Sequence, residues 1–343
     1  MQRPCGMLLI VALVASAAAA ADKPRVTFEL ITRPGLPATA PQQWHQALSE
    51  LGLSGLRIRT GAGDDEMSIE NQGTGAAPSY KVVGILSADN VLYVPGGKFG
   101  LRDTGKLRKW LDTLRDEGAE GVTGERSAFG LLPRELQAVH DDLKRPVDFS
   151  TKGMPAGTAL GQIAAGLGIP LAPDAGAMPA VAEVKVADEL KGLARGTALA
   201  AILRPAGLVL QPRHERGGPL EYRVGQPQAG GEAWPVGWKP SKRASELLPA
   251  LFEMLNVEIK ETSFALALVA IEGRLDAPFL FDRNAMALHG ADPAGAQADV
   301  PAKRMSYSQV LRKVLSQAKL KYELRVDEAD KPFLWITTVK PAP

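Results

Sequence analysis

The sequence predicts an α+β protein: a small N-terminal α+β domain followed by two tandem β-α-β-β-α-β modules. Three observations predict it. Residues 157–171 and 196–210 are identical at seven of fifteen positions, at an offset of 39. In both, apolar residues at helical spacing run into a glycine and a short apolar stretch, the pattern of a helix leading into a strand. Two fainter copies follow, one through Ala267, Leu268, Ile271 and Phe279, the other through Val310, Leu311, Val314, Leu315 and Leu320. Finally, period-two alternation flanks each pair of copies, which places strands on a sheet with one buried face.

The chain opens with Arg3, nine apolar residues from Met7 to Ala15, and small residues from Ala18 to Ala21. This is the three-part layout of a signal peptide (1–21), with cleavage expected near Asp22. The apolar run is shorter than the roughly 20 residues of a spanning helix. The expectation is therefore an exported chain, periplasmic or extracellular, without a membrane span after cleavage. Cys5 is the only cysteine. The mature chain is thus expected to lack disulfides, thiolate metal centres and a cysteine nucleophile. Without Arg3 it carries 39 basic and 38 acidic residues, a net charge of +1. That balance argues against nucleic acid or anionic lipid as a partner.

Residues 22–118 form the first domain. Val26, Phe28 and Leu30 alternate as a strand. Trp44, Ala47, Leu48 and Leu51 follow at helical spacing, and Leu56 and Ile58 begin another strand. Ser79–Leu86 and Val91–Val94 read as strands, and Leu107, Trp110, Leu111 and Leu114 as a second amphipathic helix. Residues 119–146 read as a connecting helix through Leu132, Leu136, Val139 and Leu143.

The first module spans 147–226. It begins with a strand through Val147, Phe149 and Thr151 and ends on Leu220 to Val224, and Pro205 should end its second helix early. Residues 227–255 read as a Pro/Gly linker and a kinked helix, Ser241 to Leu255, with Leu247, Leu248, Leu251 and Leu255 on one stripe. The second module spans 256–343. Val257 and Ile259 open it, and Ser306 and Gln309 form a capping box before its last helix. In the closing hairpin Leu320, Tyr322, Leu324 and Val326 alternate with Lys321, Glu323, Arg325 and Asp327. Asp327 to Lys331 make the turn into a final strand, Phe333 to Val339.

Residues 147–224 resemble the short N-terminal domain shared by bacterial secretins and TonB-dependent receptors. The resemblance rests on Ala159-Leu160, Gly168-Ile169, Ala198-Leu199, Gly207-Leu208 and the strand ending at Val224. Residues 256–339 resemble a second, diverged copy, with Asp276 and Lys319 in place of the exit glycines, so those exits are not expected to repeat a glycine αL cap. The whole chain also resembles exported proteins of uncharacterised function from planctomycete-type bacteria. The resemblance implies a module that contacts partner proteins outside the cytoplasm, in secretion or energy coupling.

Catalytic motifs are mostly missing: there is no Gly-x-Ser-x-Gly elbow, no His-Glu-x-x-His and no phosphate-binding loop. His45, His140, His214 and His289 are scattered and read as ordinary surface or flank histidines, so no metal is expected. Asp64, Asp65, Glu66 and Glu70 read as a solvated turn rather than a calcium loop. Asp327, Glu328 and Asp330 read as a polar hairpin turn. Gly61, Gly63, Gly73 and Gly75 lack nucleotide-binding spacing. No cofactor is expected.

Two features point to partners. Trp234 and Trp238 in the linker either present a surface to a protein or glycan, or pin the linker to a neighbouring domain. The final strand, with Phe333, Trp335 and Thr337, either is a sheet edge open to an added strand, or is internal or covered by the 241–255 helix. The leading functional expectation is a non-enzymatic module that binds or assembles with envelope proteins. The alternatives are an envelope hydrolase with its site in the N-terminal domain, and a glycan- or cell-wall-binding protein.

Overall fold

In the N-terminal unit, β1 (Arg25–Thr32) is joined through α1 (Ala40–Glu50) to its parallel neighbour β2 (Leu56–Thr60). The computed structural model describes residues 24–53, 55–62, 65–74, 78–182, 184–215 and 218–340. The expected signal peptide lies outside them, as do Gly63, Asp64 and Gly75. After β2 come β3 (Ser68–Asn71), β4 (Ser79–Leu86), β5 (Val91–Val94), β6 (Gly97–Gly100) and α2 (Thr104–Thr123). The sheet order is β2-β1-β4-β5-β6, with β3 sharing the β5 side of β4. Val26, Phe28 and Leu30 point to one face, where they meet Trp44 and Leu48 of α1 and Leu107, Trp110, Leu111 and Leu114 of α2. Period two on the strand and 3.6 on the helices thus converge on one core. β3 and β6 were not anticipated: the first is polar and the second is bounded by glycines. The expected boundary at 118 falls inside α2, where Gly118 breaks the helix at φ 76°; the unit runs to Gly124.

From Glu125 onward the chain is one compact unit. Its elements are α3 (Pro133–Leu143), α4 (Ala156–Ala165), β7 (Leu171–Pro173), α5 (Ala177–Ala182), α6 (Arg195–Leu203), β8 (Val209–His214), β9 (Leu220–Gly225) and α7 (Ala244–Leu247). There follow β10 (Met254–Ser263), α8 (Phe264–Leu275), β11 (Phe279–Phe281), α9 (Arg283–His289), β12 (Gln297–Ser306), α10 (Tyr307–Gln317), β13 (Leu320–Val326) and β14 (Pro332–Thr338). The α+β class holds for both units. Among the described residues no helix is long and apolar enough to cross a membrane.

The twofold repeat is visible in the topology. The first module has sheet order β7-β9-β8 and the second β11-β14-β13; in each, a short strand runs parallel to the last strand, which also pairs antiparallel with its hairpin partner. Helices α4 and α6 of the first module correspond to α8 and α10 of the second. Pro205 ends α6 at Leu203 in a short 3-10 turn, and Ser306 caps α10 reciprocally with Gln309, both as expected.

The structure corrects several expectations. The helix through 132–143 is not a connector. Leu131, Val139 and Leu143 lie in the core of the first module. Its buried Asp142 accepts hydrogen bonds from Gly168 N (2.8 Å), Ile169 N (3.0 Å) and the Tyr222 hydroxyl (3.1 Å). The segment expected as a strand at Val147–Thr151 joins no ladder; only its flanks form isolated bridges, Pro146 with Ala194 and Pro155 with Lys185, where the second module has the β10–β12 ribbon. Prolines at both ends lack an amide donor, which limits the ladder. The helix expected over 241–255 is a single turn, α7, then a 3-10 turn from Pro249; Leu255 already lies in β10.

The helix exits reverse what the residue types suggest. Asp276 and Lys319 are left-handed, at φ 51° and 58°, like Gly207 at 70°, whereas Gly168 is not. The Asp142 carboxylate takes over at Gly168 by receiving the two exit amides directly.

The last strand is not an edge. β14 lies between β11 and β13, and both faces are covered. Leu334 and Ile336 enter the second module's own core, while Phe333 and Trp335 enter the core of the first.

A left-handed lysine is strained where glycine is not, although glycine also loosens the unfolded chain. Lys319→Gly should therefore raise stability by about 0.5–1 kcal/mol, and Gly207→Lys should lower it by about 1–2 kcal/mol. Urea unfolding of the two variants measures both.

Candidate functional site

The residues singled out in the linker and final strand come together, but inside the molecule. Trp234 N donates to Leu210 O on β8 (2.7 Å), and Trp238 pairs with Val326 on β13 (2.7 and 3.0 Å), so the linker bridges the two sheets. The Trp234 ring stacks on Phe129 (5.5 Å), tilts against His140 (5.0 Å) and meets Trp238 edge-on (5.3 Å, 88°). Trp234, Phe333 and Trp335 are buried. Arg325 and Arg204 lie over the Trp335 ring at 5.0 and 5.8 Å, and Thr337 donates to Asp282 (3.2 Å). A glycan platform needs exposed, coplanar indoles; here Trp234 is buried, Trp238 is half-buried and the two rings are perpendicular, which argues against that reading. Likewise Phe333, Trp335 and Thr337 cannot receive an added strand, because β14 is central.

The turn read as merely polar has a structural task. Asp327 Oδ1 closes the turn by accepting from Ala329 N and Lys331 N (2.9 Å each), while its Oδ2 accepts from Ala194 N (2.8 Å). Glu328 accepts from Thr197 N (3.1 Å), the Thr197 hydroxyl (2.9 Å) and Trp234 Nε1. Ala194 precedes α6 and has no capping side chain of its own. Two carboxylates of the second module thus cap a helix of the first, where orphan amides and the helix dipole favour negative charge. Burial still pushes the Glu328 carboxyl above its usual range. Close approach requires Gly196: a Cβ there would lie 2.4 Å from Glu328 Oε1 and 2.7 Å from Trp234 Nε1.

The open surface is on α8. Its inward residues Phe264, Ala267, Leu268, Ile271 and Leu275 are buried, yet Leu266 and Val269 point outward at 66% and 62% exposure. Aligning the repeat on Ala159/Ala267, Leu160/Leu268 and Ile163/Ile271 sets Thr158 and Gly161 opposite Leu266 and Val269. The first copy therefore presents a small polar face where the second presents an apolar one. Grooves flank the ridge. One, of about 380 Å³, lies toward Leu255, Val257 and Ile259 of β10. The other, of about 300 Å³, has a floor of Phe264, Leu268, Phe279 and Met286 and a rim carrying Lys152, Asp188, Glu189, Glu272 and Arg283.

Two of those carboxylates act on the free side of β11. Phe279 N donates to Glu272 Oε1 (2.8 Å) and Phe281 N to Asp188 Oδ2 (3.2 Å). Asp188 also pairs with Arg283 (2.6 Å). Burial raises the pKa of both acids; Arg283 opposes this at Asp188, whereas the charge of Asp188 adds to it at Glu272. Sequence reasoning missed Asp188, Glu272 and Arg283. The available signal was α8 itself, apolar on nearly every side from Phe264 to Ile271.

The remaining candidates stay apart. His214 bonds Glu135 (2.7 Å), His140 sits in the aromatic cluster with its pKa lowered by burial, and His45 and His289 are exposed. Asp65 pairs with Arg59 (2.6 Å), which also holds Glu29 together with Lys81. Among the described residues no group of three or more His, Cys, Asp or Glu side chains is placed to hold a metal ion.

The Gly196 contact is directly testable, because the repeat supplies its own control. Gly196→Ala forces a methyl into Glu328 and Trp234 and should cost about 1–3 kcal/mol. Gly157→Ala, whose Cβ meets only Ala182 Cα at 3.6 Å, should be neutral or stabilising. Thermal unfolding of the two variants makes the comparison. Searches against protein-family models, curated proteins and solved structures give no match to this chain.

Proposed function

We propose that the chain is an exported, non-enzymatic module of the cell envelope that binds another protein through the outward face of α8. One observation carries this reading: where α4 shows Thr158 and Gly161 to solvent, α8 shows Leu266 and Val269. Two copies of one unit that differ by an exposed apolar ridge suggest a face kept for contact, since monomeric proteins rarely leave large apolar patches uncovered. Phe252 and Met254, just before and at the start of β10, are also about half exposed. The resemblance of both modules to the secretin and TonB-receptor short domain points the same way, toward partner contact outside the cytoplasm. The hydrolase alternative loses ground because Glu29 and Asp65 in the N-terminal unit are held by Arg59 and Lys81, which lower their pKa values; carboxylates so neutralised make poor general acids.

Leu266→Lys/Val269→Lys changes only exposed positions and should leave the fold intact. Proteins captured from envelope extract by the wild type, then purified, should bind the double variant at least about tenfold more weakly in titration calorimetry. Equal affinity for every captured protein would overturn the reading. Loss of a self-associated species in sedimentation would instead assign the ridge to a second copy of the chain.

A further inference from the structure

We propose that the cleft between α8 and residues 187–189 binds an amphipathic cation, an apolar group bearing an ammonium or guanidinium, with Glu272 as the anion that receives it. The proposal rests on the reading of α8 as a binding face and names the chemistry one of its two grooves would take. The cleft, about 300 Å³, suits one aromatic ring or a short alkyl chain. Its floor is apolar and already formed, since Phe264, Leu268, Phe279 and Met286 are all buried in the second module's core.

The rim decides the sign of the charge. Arg283 is occupied by Asp188 at 2.6 Å, and the second Asp188 oxygen takes Phe281 N. Glu189 is occupied by Ser150, Thr151 and Lys191 N. Glu272 differs: Oε1 accepts from Phe279 N, and among the described residues its carboxylate makes no ion pair. Lys152 acts on it only through its field. Covering Glu272 with a neutral apolar group would bury an unpaired charge, which is costly. An anion would meet three carboxylates against two cations, Lys152 and an Arg283 already paired with Asp188, so the rim is acidic on balance. A cation with an apolar body satisfies both floor and rim, and its ion pair strengthens as water is excluded. Burial raises the Glu272 pKa, and the Phe279 amide and the Lys152 field offset this only in part.

Because α8 is read as a protein-binding face, the cation is a lysine or arginine side chain beside an apolar residue of a partner protein; a free amine is the competing outcome of the test. The probe is dansylcadaverine, titrated by fluorescence into the mature chain. Saturable, blue-shifted binding is expected, weakened at least about tenfold by Glu272→Gln. Glutamine keeps the acceptor for Phe279 N, so this variant should fold. Val269→Lys, at the exposed mouth, should weaken the probe as well and serves if Glu272→Gln does not fold. N-acetylated dansylcadaverine, which is neutral, should bind wild type and Glu272→Gln alike. Competition by a blocked Phe-Lys amide at lower concentration than phenethylamine assigns a protein side chain; the reverse order assigns a free amine. Equal dansylcadaverine affinity for wild type and both variants, or no saturable binding, overturns the proposal. Leu266 lines the other groove and Val269 this one, so loss of protein capture in Leu266→Lys alone is read separately from loss of amine binding here.

Discussion

Two adjacent carboxylates on one hairpin turn hold the second unit together. Asp327 and Glu328 leave the β13–β14 turn and receive the first amides of α6, the Thr197 hydroxyl and the Trp234 indole. Hydrogen bonds to charged groups contribute about 1.5–3 kcal/mol each, and a buried donor left unpaired costs a comparable amount. The turn is therefore the point at which a change in one module is felt in the other. With the turn seated on α6, β14 presses Phe333 and Trp335 into the first module while Leu334 and Ile336 remain in the second. The tryptophan linker fills the seam, and Arg204 reaches across it to Asp282 (3.0 Å).

Local order in this chain was readable because it rests on periodicity. The strands at Ser79–Leu86 and Val91–Val94, the repeat helices and the last hairpin all follow from apolar spacing. What was not readable depends on contacts distant in sequence. β14 was read as a possible edge, yet its nearly continuous apolar run is the mark of a strand covered on both sides. Gly168 looks like a left-handed cap, but Asp142 makes that conformation unnecessary. Asp276 and Lys319 look unsuited to it, but the repeat geometry imposes it. The candidate groove was the least legible, since Asp188 and Glu272 are 84 positions apart in the sequence and meet only at β11.

The two copies have diverged in complementary ways. The first lacks a continuous outer ribbon and packs α3 against itself, with Leu143 in its core and Asp142 buried beside it. The second has the β10–β12 ribbon and an apolar helix face with nothing packed over Leu266 and Val269 among the described residues. Under the proposed function one copy is a platform and the other a contact surface. The platform can position the contact surface only if the two copies move as one body.

Native-state hydrogen exchange on residues 22–343 tests that most directly. The slowest amides of α6 and those of β13 and β14 should open with the same free energy, because breaking the Asp327 and Glu328 contacts exposes both elements together. Exchange of α6 through a cheaper opening of its own, with the hairpin still protected, would contradict the account.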